Sequence, residues 1–265
     1  MADLRFATFL APNMHTVHAA IAAGIGAALG CTAELTVADD YEQFRRDAYD
    51  VSFLCGLPYV MCARQGVVPA VPVAAPVLRG ARYGGRPIYF SDVIVRRDDP
   101  ADGFLDLRGR TWSYNEPYSQ SGYGVTRHHL LSLGETGGFF SRVVRAGSHE
   151  ESIRMVTEGR VDASAIDSQV LAIEMRDRPD LAGRLKVIDA LGPSTIQPVV
   201  VSKRTDVDLR AAIRDILIGF GDTERGSEVL AAGNVERFVA IGPSDYDDIR
   251  RMVDACAAAG FMEIR

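Results

Sequence analysis

Short apolar runs alternate with helical stretches almost from the first residue of this chain, and that rhythm restricts the fold more than any single motif. LRFATFL reads as a strand, and HTVHAAIAAGIGAALG as an Ala-rich helix with Gly30 placed as its C′ glycine. TAELTV is a second strand, YEQFRRDA a short helix, and YDVSFLCG a third strand, apolar enough to be buried in a parallel sheet. LPYVMCARQG is another helix, followed by the proline-punctuated extended segments VPAVPVAAPVL and RPIYFSDVIVRR. Such alternation predicts an open sheet covered by helices on both faces.

A second unit of the same kind follows. RTWSYN, FFSRVVRAG, RVDASAID and RLKVID read as strands, and SGYGVTRHHLLSL, HEESIRMVTEG and QVLAIEMRD as helices. After the extended PSTIQPVVVSKRT, the tail reads as wholly helical, through DLRAAIRDILIGFG, SEVLAAG and DYDDIRRMVDACAAAG. The expected architecture is therefore α/β and two-lobed, a clamshell with two hinge crossovers, near 90–96 and 193–200. Residues 1–92 and 197–265 form a discontinuous first lobe and 93–196 the second, with a ligand held in the cleft.

Composition limits the partners. The 265 residues carry a net charge of −6, with no block of Lys and Arg, which argues against nucleic acid. An anionic ligand would then have to be held by a local device. No basic stretch with an apolar core and cleavage site opens the chain, and no apolar run reaches membrane-spanning length. As written the sequence predicts a cytoplasmic chain without membrane insertion; one whose export leader had been trimmed would read identically and be periplasmic. Cys31, Cys55, Cys62 and Cys256 have neither redox nor zinc spacing and are expected as reduced thiols. His128 and His129 are adjacent on a helix and face apart, so no metal site is expected.

The most informative stretch is DLRGRTWSYNEPYSQSGYGVTRHHLLSLG, residues 106–134. A strand ends at Asn115 and a helix begins near Ser121, separated by Glu116, Pro117, Tyr118, Ser119 and Gln120. First-turn N–H groups lack intrahelical acceptors and carry the positive end of the helix dipole, so a Ser-x-Ser-Gly turn suits an anion. Gly122 lets a ligand approach the backbone. The plainer alternative is that Ser119 or Ser121 is simply an N-cap.

DLRGRTWSYNEPYSQSGYGVTRHHL resembles the phosphate/phosphite/phosphonate-type substrate-binding proteins of ABC transporters, in which DL-x-G-K/R leads into (acidic)-Pro-x-Ser-Thr-Ser-Gly-Tyr. AGSHEESIRMVTEGRVDASAIDSQVL resembles the family's Gly-x-His-(acidic) helix start with Gly-x-Val-Asp-Ala and Asp-Ser. YDVSFLCGLPYV and IYFSDVIVRRD are softer matches, and together these span roughly residues 40–200.

The resemblance implies a type II periplasmic-binding-protein fold that captures a small oxyanion such as phosphate, phosphite or a phosphonate. It implies Ser119, Gln120 and Ser121 as the anion cradle, His149 as a donor at the next helix start, and Asp167 as an acceptor. Tyr59 and Tyr89 would close the cleft from the first lobe. Gln120 departs from the family's Thr; its longer amide either reaches another ligand group or points away and leaves only the backbone N–H.

Each residue also has a plainer reading. His149, beside Glu150 and Glu151, could be an exposed surface histidine; as a ligand donor it would make binding depend on pH near 6–7. Asp167 is equally an N-cap for the following helix, with Ser168 in competition. Tyr59 and Tyr89 are as readily packing residues. Asn13 is either a polar contact or a cap for the helix beginning near Met14.

No nucleophile–base pair, P-loop or dinucleotide fingerprint appears, so no catalytic residue and no cofactor is assigned. The expected role is ABC-type uptake or sensing, with an oxyanion as partner and, in transport, an ABC permease and its ATPase. The alternative is a cytoplasmic enzyme on the same scaffold, acting as a lyase or hydrolase on a small anionic metabolite.

Overall fold

The computed structural model describes residues 3–264. Its strands are β1 (Leu4–Thr8), β2 (Ala33–Val37), β3 (Val51–Phe53), β4 (Ala70–Leu78), β5 (Ile88–Arg96), β6 (Thr111–Tyr114), β7 (Arg142–Arg145), β8 (Ala163–Asp167), β9 (Leu185–Thr195), β10 (Val199–Ser202) and β11 (Val235–Ala240). Its α-helices are α1 (His15–Leu29), α2 (Tyr41–Arg45), α3 (Gly56–Arg64), α4 (Val125–Ser132), α5 (His149–Thr157), α6 (Ser168–Asp177), α7 (Leu181–Arg184), α8 (Val207–Ile218), α9 (Glu224–Ala232) and α10 (Asp247–Ala258). The chain divides into two compact units. One runs to Ile88 and includes Thr195–Asp247; the other comprises Tyr89–Ser194 and the chain from Asp248.

The first unit is built on a mixed sheet in the order β11-β4-β10-β3-β1-β2. β1 runs parallel to β2 and β3, with Phe6 opposite Leu35 on one side and Val51 on the other. All three residues of β3 are buried, as its unbroken apolar run requires of a central strand. The buried residues of α1 recur at helical spacing (Val17, His18, Ile21, Ala22, Ile25), and each fully buried Ile contributes roughly 1.5–3 kcal/mol. Gly30 ends that helix at φ 66°, its N–H bonding back to the Ala27 carbonyl, as its sequence position implied.

The second unit carries a sheet in the order β7-β6-β8-β5-β9. β6 runs parallel to β7 and β8, and β5 runs antiparallel to β8 with Ser91 opposite Asp167. Its core gathers Phe104, Trp112, Phe139 and Phe140, with Trp112 stacked on Phe140 at 4.7 Å between ring centroids. Parallel β6 and β8 both point their C-terminal ends toward helix starts, where open α/β sheets present ligand-binding loops.

Three sequence expectations need correction. The tail is not wholly helical: VERFVA forms β11, antiparallel to β4, because Asn234 at φ 57° turns the chain out of α9 and sends it back along the sheet. Of RLKVID, Arg184 ends α7 and the remaining residues are only the first part of the eleven-residue β9. The expected lobe boundaries also move. Residues 248–264 belong with the second unit rather than the first, because Phe261 and Ile264 enter its aromatic core and Arg127 Nη1 donates to the Met262 carbonyl at 2.8 Å. Tyr89 likewise opens the second unit.

Candidate ligand-binding site

The stretch after β6 folds as a one-turn π-helix, Gln120–Gly124, that runs into α4. The wider turn leaves the Ser119 carbonyl accepting from both Tyr123 and Gly124, at 3.2 and 2.9 Å. Ser119 is its N-cap, its Oγ accepting from the Gly122 N–H at 3.0 Å. The N-cap alternative is thus correct for Ser119. It fails for Ser121, which lies inside the turn rather than at its cap. Ser121 Oγ instead lies 3.3 Å from Ser119 Oγ and 3.0 Å from His149 Nε2.

His149 reaches that position because β7 returns parallel to β6. The Asn115 carbonyl accepts from the Gly147 N–H at 2.8 Å, and Ser148 caps α5 by accepting from the Glu151 N–H. With the cap supplied by Ser148, the His149 ring is free to turn inward. It is 5% exposed, not the surface histidine its acidic neighbours suggested. Its Nδ1 is buried without a hydrogen-bond partner among the described residues.

Burial pushes the His149 imidazole down to about 3, from an ordinary 6.5. Burial thus holds the ring neutral at physiological pH, so no binding step near pH 6–7 is expected from it. Ser119, Ser121 and His149 form a chain of neutral groups, each able to pass or accept a hydrogen bond.

Asp167, 3% exposed, ends β8, which lies beside the π-turn. Its carboxylate accepts from the Gln169 N–H at 2.8 Å and more weakly from that of Val170, so it caps α6. Ser168 does not compete; its Oγ accepts from the Phe90 N–H.

Other candidates are placed differently from expectation. The Gln120 side chain does not enter the cradle: its Nε2 donates to Ser194 Oγ at 3.0 Å and to Met252 Sδ at 3.2 Å, inside the second unit. Asn13 caps no helix, since neither the Pro12–Met14 turn nor α1 has a side-chain cap. Tyr59, in the first unit, is 2% exposed and packs edge-on against Tyr246 at 5.4 Å, the packing alternative. Tyr89 is 1% exposed, at the start of β5.

Asn115, which the sequence marked only as a strand end, packs against the turn. A Cβ added to Gly122 would meet its Oδ1 at 2.0 Å, so the carboxamide lies directly over the Gly122 Cα. Gly122→Ala is expected to push the turn or the carboxamide aside. Overpacking of this kind costs about 1–3 kcal/mol of folding stability, read as a lowered midpoint in denaturant melts. Asn115→Ala in the same chain should restore it.

The family described as "ABC transporter, phosphonate, periplasmic substrate-binding protein" matches residues 6–246. The chain belongs to this family. It is a family of substrate-binding proteins, so the enzyme alternative is set aside.

Solved structures agree on the type II periplasmic-binding-protein-like fold. A binding-protein component of an ABC phosphonate transporter from Pseudomonas aeruginosa superposes with a TM-score of 0.81 at 20% identity, over 95% of this chain and 85% of that one. PhnD1 from Prochlorococcus marinus, solved with methylphosphonate, gives 0.84 at 15% identity, over 96% and 98%. The aliphatic sulphonate binding protein SsuA from Escherichia coli gives 0.66 at 12% identity, over 97% and 87%. At these identities the likeness is one of fold. No described helix of this family member is long and apolar enough to cross a membrane.

Proposed function

We propose that the Ser119–Gly122 turn and His149 hold the phosphonate group of the substrate. The observation that supports this is the hydrogen-bonded run from Ser119 Oγ through Ser121 Oγ to His149 Nε2 at a helix start, whose first-turn N–H groups have no intrahelical acceptor. An N–H aimed along a helix dipole with adjacent hydroxyls stabilises an oxyanion without a formal positive charge. Arg127, on the following helix, donates to the Met262 carbonyl instead. Asp167 would accept a hydrogen bond from a protonated ligand oxygen or an amine with whatever capacity capping leaves it, since a bare carboxylate facing an oxyanion is repelled.

In this reading the protein delivers its ligand to an ABC permease and its ATPase, and acts in the periplasm after export. The test is a thermal-shift series across methylphosphonate, phosphate, phosphite, sulfate and small carboxylates. A ligand at 100 times its Kd that binds only the folded chain adds about 2.7 kcal/mol to its stability. Methylphosphonate is expected to raise the melting temperature; stabilisation by carboxylates alone would reject the assignment.

A further inference from the structure

The π-turn has a second anchorage, at its rear. Gln120 opens the turn, is fully buried, and donates through Nε2 to Ser194 Oγ at 3.0 Å and Met252 Sδ at 3.2 Å. Ser194 is the last residue of the second unit before the chain leaves it, and it lies in β9. β9 neighbours β5, the strand on which the chain enters that unit at Tyr89. Met252 lies on α10, the helix by which the chain re-enters it at Asp248. One carboxamide therefore ties the first residue of the π-turn to the segments that carry the chain in and out of this unit. A threonine hydroxyl, the residue type the resemblance leads one to expect here, sits too close to its own backbone to reach either partner.

We infer that Gln120 is a positioning residue, which sets the anion affinity of the turn by holding it against Ser194 and Met252 without touching the anion. The inference rests on the assignment of the turn as the phosphonate site. Donors to a bound anion must be kept within about 0.5 Å of their productive positions. The Ser121 N–H and hydroxyl follow Gln120 directly in the chain, so a turn released at Gln120 moves them first. The same amide cannot serve two masters: while it donates to Ser194 and Met252 it is directed away from the ligand.

The experiment measures methylphosphonate Kd by calorimetry for the full chain and its Gln120→Leu, Ser194→Ala and doubly substituted variants. Each unliganded melting temperature and the amide ¹H–¹⁵N resonance of Ser121 are recorded alongside. Leucine keeps the bulk of Gln120 and removes its donor.

Gln120→Leu is expected to weaken binding about fivefold and to displace the Ser121 resonance before ligand is added. The double variant should bind no more weakly than Gln120→Leu alone, because both changes break one link. Unchanged affinity, or losses that simply add, would overturn the inference. If Gln120→Leu fails to fold, Ser194→Ala and Met252→Leu take its place. Either should displace the Ser121 resonance, and a native resonance with native affinity in both would be equally fatal. Ser121→Ala in the same assay separates the two assignments. If it binds like the parent, the site itself is wrong; if it loses binding while Gln120→Leu does not, only the positioning role is wrong.

Discussion

Ser121→Ala is expected to weaken methylphosphonate binding about 5- to 150-fold by calorimetry, the equivalent of about 1–3 kcal/mol for a buried, charge-assisted hydrogen bond. Ser121 is 2% exposed and stands between Ser119 and His149 in the run of hydroxyls, so its removal also strips His149 Nε2 of its partner. Affinity equal to that of the parent chain would remove Ser121 from the site. His149→Ala should cost the same factor at pH 6 as at pH 8, since the buried ring is neutral at both. A larger loss at pH 6 would show that the ring is charged when ligand is bound.

The second large effect is on stability. His18 and His149 are both buried, and burial lowers each to about 3. His18 shares a 2.9 Å hydrogen bond between its Nδ1 and Thr8 Oγ1 and stacks on Phe53 at 4.1 Å, with no acid to compensate a charge. In the unfolded chain both rings take up a proton near 6.5. Below that pH the unfolded state binds more protons than the folded one, so stability falls as pH drops from about 6.5 toward 3. The slope approaches about 1.4 kcal/mol per pH unit for each ring. Denaturant melts at intervals from pH 7 to 5 should show the decline, and His149→Asn should make it shallower by up to about 1.4 kcal/mol per pH unit. A flat profile over that range would mean that the rings are protonated in the folded state.

How much of this was legible in the sequence depended on how local the signal was. The strand–helix rhythm carried most of the elements because each reports its own burial: VSF in β3 is apolar throughout, and α1 repeats its apolar residues at helical spacing. VERFVA was lost because β11 is an edge strand whose outward residues are charged, Glu236 and Arg237, so no apolar run announced it. The pairing partner β4 lies more than 150 residues earlier in the chain, and the turn into β11 depends on Asn234 rather than glycine.

At the candidate site, the Ser-x-Ser-Gly spacing marked a helix start that the fold does contain, but side-chain direction was invisible. Nothing local says that Gln120 points inward to Ser194 and Met252, since those partners come from 74 and 132 positions away. The plainer surface reading of His149 fails for the opposite reason. Glu150 and Glu151 suggested solvent, yet Glu151 pairs with Arg154 and Arg160 while the ring one residue earlier faces the interior. Successive helical residues point in different directions, so neighbours in sequence say little about burial. For Asp167, a capping carboxylate at a strand end reads the same with or without a ligand, and the structure adds the bonds to Gln169 and Val170.

The return of the last residues to the second unit has a consequence for biogenesis. Phe261 and Ile264 complete a hydrophobic centre whose other members, such as Trp112 and Phe139, were synthesised more than a hundred residues before. During translation that centre stays open until Phe261 has been made, and a nascent chain stalled or clipped short of it exposes aromatic surface.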